Sequence, residues 1–175
     1  MKPIDIPISD EVIRSLKMGD PVALSGVMLT GRDAVHKWMI ETFIEKTREP
    51  QGDDQQVYDA IKPLLDGGII YHCGPVVSGL ESGDYQFVAA GPTTSIREEP
   101  YQGDVMDYFD IKGVIGKGGM GPKTLKACQE VPGVYLHAIG GAASLIAQSV
   151  QRVPSMSTSF ACIRAFLFSA MLTTA

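Results

Sequence analysis

Three glycine-bearing turns recur along this chain, each directly after an apolar, strand-like run and each delivering one cation. They are Leu29-Thr30-Gly31-Arg32-Asp33-Ala34-Val35-His36, Ala90-Gly91-Pro92-Thr93-Thr94-Ser95-Ile96-Arg97 and Ile115-Gly116-Lys117-Gly118-Gly119-Met120-Gly121. A chain that alternates such strands and turns with helices is constrained to an α/β arrangement, in which glycine turns expose backbone N–H groups to a ligand. Three such turns with three cations describe a site for a small molecule bearing more than one negative charge.

The remaining pattern is consistent with one domain. Ile4, Ile6 and Ile8 alternate as a short opening strand, and residues 11–17 allow one or two helical turns ending at Gly19. Residues 21–28 read as a buried strand, and 32–46 as a helix with Val35, Met39 and Phe43 on one face. Residues 47–56 read as an exposed loop. Strands are expected over 69–73, 85–90, 111–115 and 134–139, with helices over 122–129 and 142–151; Pro122 suits the first helical position.

Charge and cysteine usage exclude several function classes. Net charge is −5 and the basic residues are scattered, which argues against nucleic acid or an anionic membrane as partner. Cys73, Cys128 and Cys162 lack CxxC spacing, so neither a disulfide framework nor a closed zinc site is expected, and a reducing cytoplasm fits. No leader-like apolar segment opens the chain, and the apolar run 160–172 is interrupted by Arg164 and shorter than the roughly 20 residues of a spanning helix.

Each turn has a plain alternative. Thr30 with Asp33 forms a capping-box-like pair, which puts Arg32 in the first helical turn, where the dipole disfavours a cation unless an anion intervenes. Taken by itself, that segment is more simply a solvated arginine, and His36 a histidine hydrogen-bonded within its helix. In the second turn, Thr93, Thr94 and Arg97 together suit a carboxylate, although Thr94 alone reads as a helix cap. The third satisfies GxGxxG between strand and helix, yet lacks the acidic residue of a dinucleotide site about 20 positions on. A nucleotide-binding module is therefore only a remote alternative. His72, Cys73 and His137 read as core, and Glu98, Glu99, Asp107 and Asp110 as surface charges.

Taken in order, these segments resemble the C-terminal domain of class I (iron–sulfur) fumarate hydratases, which is a separate beta subunit in two-subunit forms and is shared with L-tartrate dehydratase. The resemblance is carried by Leu24-Ser25-Gly26, the Arg32 turn, Cys73-Gly74-Pro75, the Gly91-Pro92-Thr93-Thr94 turn, the Lys117 turn and Ala138-Ile139-Gly140-Gly141-Ala142-Ala143, across residues 3–153. It implies a swivelling β/β/α layered domain with mixed sheets. The implied reaction is reversible hydration of a C4 dicarboxylate, fumarate to L-malate, with tartrate or another hydroxy diacid as the alternative. The implied cofactor is a [4Fe-4S] cluster carried by an alpha subunit, not by this chain's cysteines. The implied assembly is two alpha and two beta subunits, the chain being inactive alone and self-associating in isolation. By the same resemblance Arg32, Arg97 and Lys117 bind the carboxylates, Thr94 adds a hydrogen bond, and Thr93 and Lys117 are the catalytic pair, with Thr93 handling the proton on carbon. Two departures stand out: Ser95-Ile96 replaces smaller residues before the arginine, and residues 154–175 form an atypical apolar tail, as if truncated or frame-shifted. A non-catalytic remnant is the reading that tail suggests.

Overall fold

The computed structural model describes residues 1–156 and 161–172, with side-chain surroundings through Val153. The strands are β1 (Lys2–Asp5), β2 (Pro21–Thr30), β3 (Ile69–Tyr71), β4 (Val76–Ser78), β5 (Gln86–Ala89), β6 (Gly113–Gly116), β7 (Val134–His137), β8 (Val150–Met156) and β9 (Ala161–Leu172). The α-helices are α1 (Asp10–Ser15), α2 (Asp33–Met39), α3 (Asp54–Leu65), α4 (Glu99–Phe109), α5 (Pro122–Glu130) and α6 (Ala143–Gln148). A π-helical turn, Ile40–Ile44, extends α2, and a 3-10 turn, Ser95–Glu98, leads into α4.

One seven-stranded sheet runs β1-β2-β3-β6-β7-β9-β8, and a further β2–β9 pairing curls it closed. β1, β2, β3, β6 and β7 pair in parallel, while β9 lies antiparallel to β2, β7 and β8. β4 and β5 form a separate antiparallel pair. This is a mixed α/β architecture, as expected.

Burial on both faces explains why the strands read as continuous apolar runs. Val22, Leu24, Met28, Ile69, Tyr71, Ile115 and Leu136 pack inside the curl. Leu29, Ile70, Val114 and Tyr135 point the other way, onto α2, α3 and α4. The period of two therefore sorts each strand between two cores.

Gly26 decides where the strands change partner. β1 pairs with Val22 to Ser25 and β3 with Leu29 and Thr30, on the same edge of β2. Between them lies Gly26, where the β2–β9 pairing shifts register; its φ of 132° suits glycine and its Cβ would stand 2.8 Å from the Ile6 carbonyl oxygen. The chain thus lets β1 depart and β3 enter, and β2 continues to the Arg32 turn.

Several local expectations need correction. Residues 54–56, expected as the end of a loop, instead open helix α3, with Tyr58, Ile61 and Leu65 buried at helical spacing. Residues 99–109 form α4, which the sequence reading omitted. Thr30 ends β2 and is buried, so it does not cap α2. The N-cap is Arg32 itself, with extended backbone and no side-chain cap bond, one residue before the first turn where it was expected. The backbone of the 161–172 run is strand β9, while the parts of the atypical tail at 157–160 and 173–175 lie outside the described residues.

Candidate functional site

Four parallel strands end on the same side of the sheet, the side where open α/β sheets place their ligands. β2 delivers Arg32, β3 delivers Cys73-Gly74, β6 delivers Lys117, and β7 runs on to Gly140-Gly141. The Gly91-Pro92-Thr93-Thr94 turn is drawn across these ends by backbone hydrogen bonds. Thr93 N donates to His72 O at 2.7 Å, Lys117 N to Thr93 O at 3.2 Å, and Ser95 N to Lys117 O at 3.0 Å. Cys73 bridges Pro92, and Thr94 bridges Lys117. From inside, the Tyr71 hydroxyl donates to Ala90 O at 2.5 Å. From outside, Ala90 N donates to Ala143 O at 2.9 Å, and Gly91 lets α6 approach to 3.1 Å of where a Cβ would be.

The expected site residues assemble unevenly. Thr93, Thr94 and Lys117 are joined directly by these bonds. Arg32 lies along Gly74, whose missing Cβ would be 3.0 Å from Arg32 Cδ. Arg97 follows in the 3-10 turn, exposed, with no described bond to the others. Lys117 passes beside Gly140, 3.9 Å from Cδ to where a Cβ would stand. Among the described residues Arg97 and Lys117 enter no ion pair, and the Thr93 and Thr94 hydroxyls make no hydrogen bond. Arg32 meets only its neighbour Asp33, at 4.0 Å. Two cations and two hydroxyls are thus left without internal partners among the described residues, Arg97 and Thr94 exposed and Thr93 and Lys117 half-buried.

The GxGxxG turn does something else. Glu99 fills the N-terminus of α5: its carboxylate accepts from Gly121 N and Lys123 N at 2.8 Å each and from Thr124 Oγ1 at 2.7 Å. Burial pushes this carboxyl up, but the Thr124, Gly121 and Lys123 donors outweigh it and hold it below its ordinary value. The anion at that helix end is the chain's own, so no pyrophosphate fits there, and Glu99 is not a surface charge.

Glu98 is not one either. It is fully buried, and neither oxygen has a hydrogen-bond partner among the described residues. Burial pushes its carboxyl up to about 7, with Asp33 adding to the shift and Arg32 opposing it.

A buried polar chain behind the turns was missed from sequence. His36, His72, Ser95 and Gln102 are all fully buried. Gln102 lies 2.9 Å from Nε2 of both His36 and His72, and His72 Nδ1 lies 2.9 Å from Ser95 Oγ. Desolvation drops His72 to about 3 and lowers His36 below its ordinary value, so burial disfavours the charged form of both rings. The helical stripe Gln102, Val105, Met106 and Phe109 was the available signal, because a polar residue in an apolar stripe marks a buried network.

Comparison with known proteins follows this geometry. A family model described as the fumarase C-terminus matches residues 2–161, and the chain belongs to that family. It is 34% identical over 153 residues to the L(+)-tartrate dehydratase subunit beta of Escherichia coli K12, covering 87% of this chain and 68% of that one. It is 50% identical over 151 residues to a Geobacillus stearothermophilus protein named "Putative fumarate hydratase class I", covering 86% of this chain. That match spans only 26% of the longer Geobacillus protein. No helix among the described residues is long and apolar enough to cross a membrane.

Proposed function

We propose that this chain is the beta subunit of a class I hydro-lyase that interconverts fumarate and L-malate together with an iron–sulfur alpha subunit. One observation supports the reading: the backbone bonds that join Thr93, Thr94 and Lys117 at one sheet end, their side chains and that of nearby Arg97 having no partner among the described residues. Arg32, Arg97 and Lys117 take the two carboxylates, forked guanidinium groups suiting their planar geometry. Thr94 adds a hydrogen bond, and Thr93 handles the proton on carbon. The cations would stabilise the extra charge that builds on a carboxylate when that proton leaves.

The site is half open, since the side chain of Arg32 is 44% exposed. Chemistry on a dianion profits from excluding water, so a second surface should close over it. The exposed apolar residues Ile96, Ile139 and Leu145 flank the same turns and suit that contact. Together with the beta-subunit name of the Escherichia coli relative, they support an alpha partner; two alpha and two beta chains are the assembly we propose. The [4Fe-4S] cluster would belong to the alpha subunit. Burial pushes the Cys73 and Cys128 thiols up to about 12 and about 11, opposite to the thiolate that ligation requires. When bound, the cluster supplies Lewis-acid polarisation of the substrate.

The test is anaerobic assay of the chain mixed with the alpha subunit. Malate dehydration is expected in the mixture and not with either chain alone. Lys117→Ala is expected to cost about 100-fold or more in kcat/KM, and full activity in that variant would refute the site. The tartrate dehydratase relative favours a second reading, in which L-tartrate is turned over in preference to malate; the ratio of the two kcat/KM values decides between them.

A further inference from the structure

The buried chain behind the site fixes its own protons. His36 Nδ1 lies 2.9 Å from the Arg32 carbonyl oxygen, and a carbonyl only accepts, so Nδ1 carries the hydrogen. The ring is fully buried with no carboxylate bonded to it among the described residues, which favours the neutral form and leaves Nε2 as a bare acceptor. The Gln102 amide, 2.9 Å from that Nε2, must therefore donate to it. The second N–H of the same nitrogen faces His72 Nε2, also at 2.9 Å. His72 is then another Nδ1–H tautomer and donates to Ser95 Oγ. Turned the other way, the amide would leave two N–H donors buried without a partner, whereas this way only the carbonyl oxygen takes that position.

This chain of bonds ends on each cation-bearing turn. At one end it holds the Arg32 carbonyl. At the other it holds Ser95, directly after Thr93 and Thr94. The Tyr135 hydroxyl then donates to Ser95 Oγ at 3.1 Å and accepts from Gly119 N at 3.3 Å, two residues past Lys117. Gly116 makes room for the junction, because a Cβ there would fall 1.7 Å from Ser95 Oγ.

We propose that Gln102 is a positioning residue: its amide nitrogen pins two Nδ1–H imidazoles and thereby sets the distance between the Arg32 turn and the Thr93–Lys117 pair. The span between the two carboxylate-binding ends of the site is then decided inside the fold, by groups the substrate never touches. The consequence for catalysis rests on the dicarboxylate reading above; the proton arrangement does not.

Nitrogen-15 shifts of the imidazoles, recorded on the full chain without substrate, test the arrangement. Two of the three histidines are expected to show a bare Nε2 and a protonated Nδ1 at about pH 8, above the range in which Glu98, whose Oε2 lies 3.9 Å from His72 Nδ1, takes up its proton. An Nε2–H tautomer at His36 or His72 would overturn the proposal. Gln102→Glu replaces both donors by acceptors, so the rings should change tautomer or gain a proton; unchanged rings would also overturn it. In the reconstituted enzyme, Gln102→Met is expected to raise KM for the diacid about tenfold while kcat stays within about threefold. Lowered stability with KM unchanged would reduce Gln102 to a packing role and refute the proposal. If the wild-type mixture dehydrates no diacid, the functional reading fails, whereas the nitrogen shifts still judge the clamp.

Discussion

Glu98 shows how far a residue's chemistry can depart from its appearance in sequence. Between Arg97 and Glu99 it reads as a solvated charge, yet it sits fully buried, with no hydrogen bond to either oxygen among the described residues and His72 Nδ1 at 3.9 Å from Oε2. Its carboxyl is raised from 4.5 to about 7, so the folded state binds this proton more tightly than the unfolded state. The stabilising contribution is complete below pH 4.5 and is lost as pH rises through about 7. Glu98→Gln should therefore be more stable than wild type above that pH, by up to about 3 kcal/mol, with the difference vanishing in acid. Urea unfolding at several pH values measures it, and a pH-independent difference would contradict the burial argument. His72 acts in the opposite sense, its contribution present above 6.5 and lost as pH falls toward about 3, so the comparison between variants is the informative one. By contrast, Arg32, Thr93, Thr94, Arg97 and Lys117 were legible as candidates, because glycine and proline beside hydroxyls and cations leave a distinctive local pattern. Glu98 leaves none, and Gln102 only its place in the apolar stripe of its helix.

At the scale of elements, the turns and their helices are held by capping that crosses the chain. Glu99, at the first position of α4, supplies the acceptors for the start of α5, and Gly103 brings the two helices close, a Cβ there standing 3.4 Å from Ala127 Cβ. Glu99→Ala should cost about 1–2 kcal/mol, since the first N–H groups of α5 lose their partner. Denaturant unfolding checks this, and a change below the error of the method would show that water replaces the carboxylate. Gly116→Ala should be harsher, costing about 3 kcal/mol, because its Cβ would fall 1.7 Å from Ser95 Oγ and within 3.2 Å of Ser95 Cβ and His72 Nδ1. The strands 69–73, 111–115 and 134–139 were anticipated close to their final bounds, their doubly buried apolar runs being unambiguous. α3 and α4 were not: Pro63 lies inside one, Pro100 and Gly103 inside the other, and these residues disguise a helical period.

For the whole molecule, closure depends on the most distant part of the chain. β9 pairs with β2 from Pro21 to Leu29 and with β7 at Leu136 and His137, joining the two sides of the curled sheet. Deleting residues 161–175 should leave β2 and β7 with open edges and abolish cooperative unfolding. Circular dichroism melting tests this; a truncated chain that melts like the full one would show that β9 adds little.

The sequence alone determined the α/β class, the succession of buried strands and the three turns that bear the candidate site, because period, glycine placement and hydroxyl–cation adjacency are local properties. Only the tertiary structure decided that Glu99 is the anion at the GxGxxG helix, that β9 closes the sheet, and that Gln102 joins two histidines behind the site. Those facts depend on which residues meet across the core. Buried polar groups must find partners wherever the chain brings them, and the identity of the partner is set by packing rather than by neighbours in sequence.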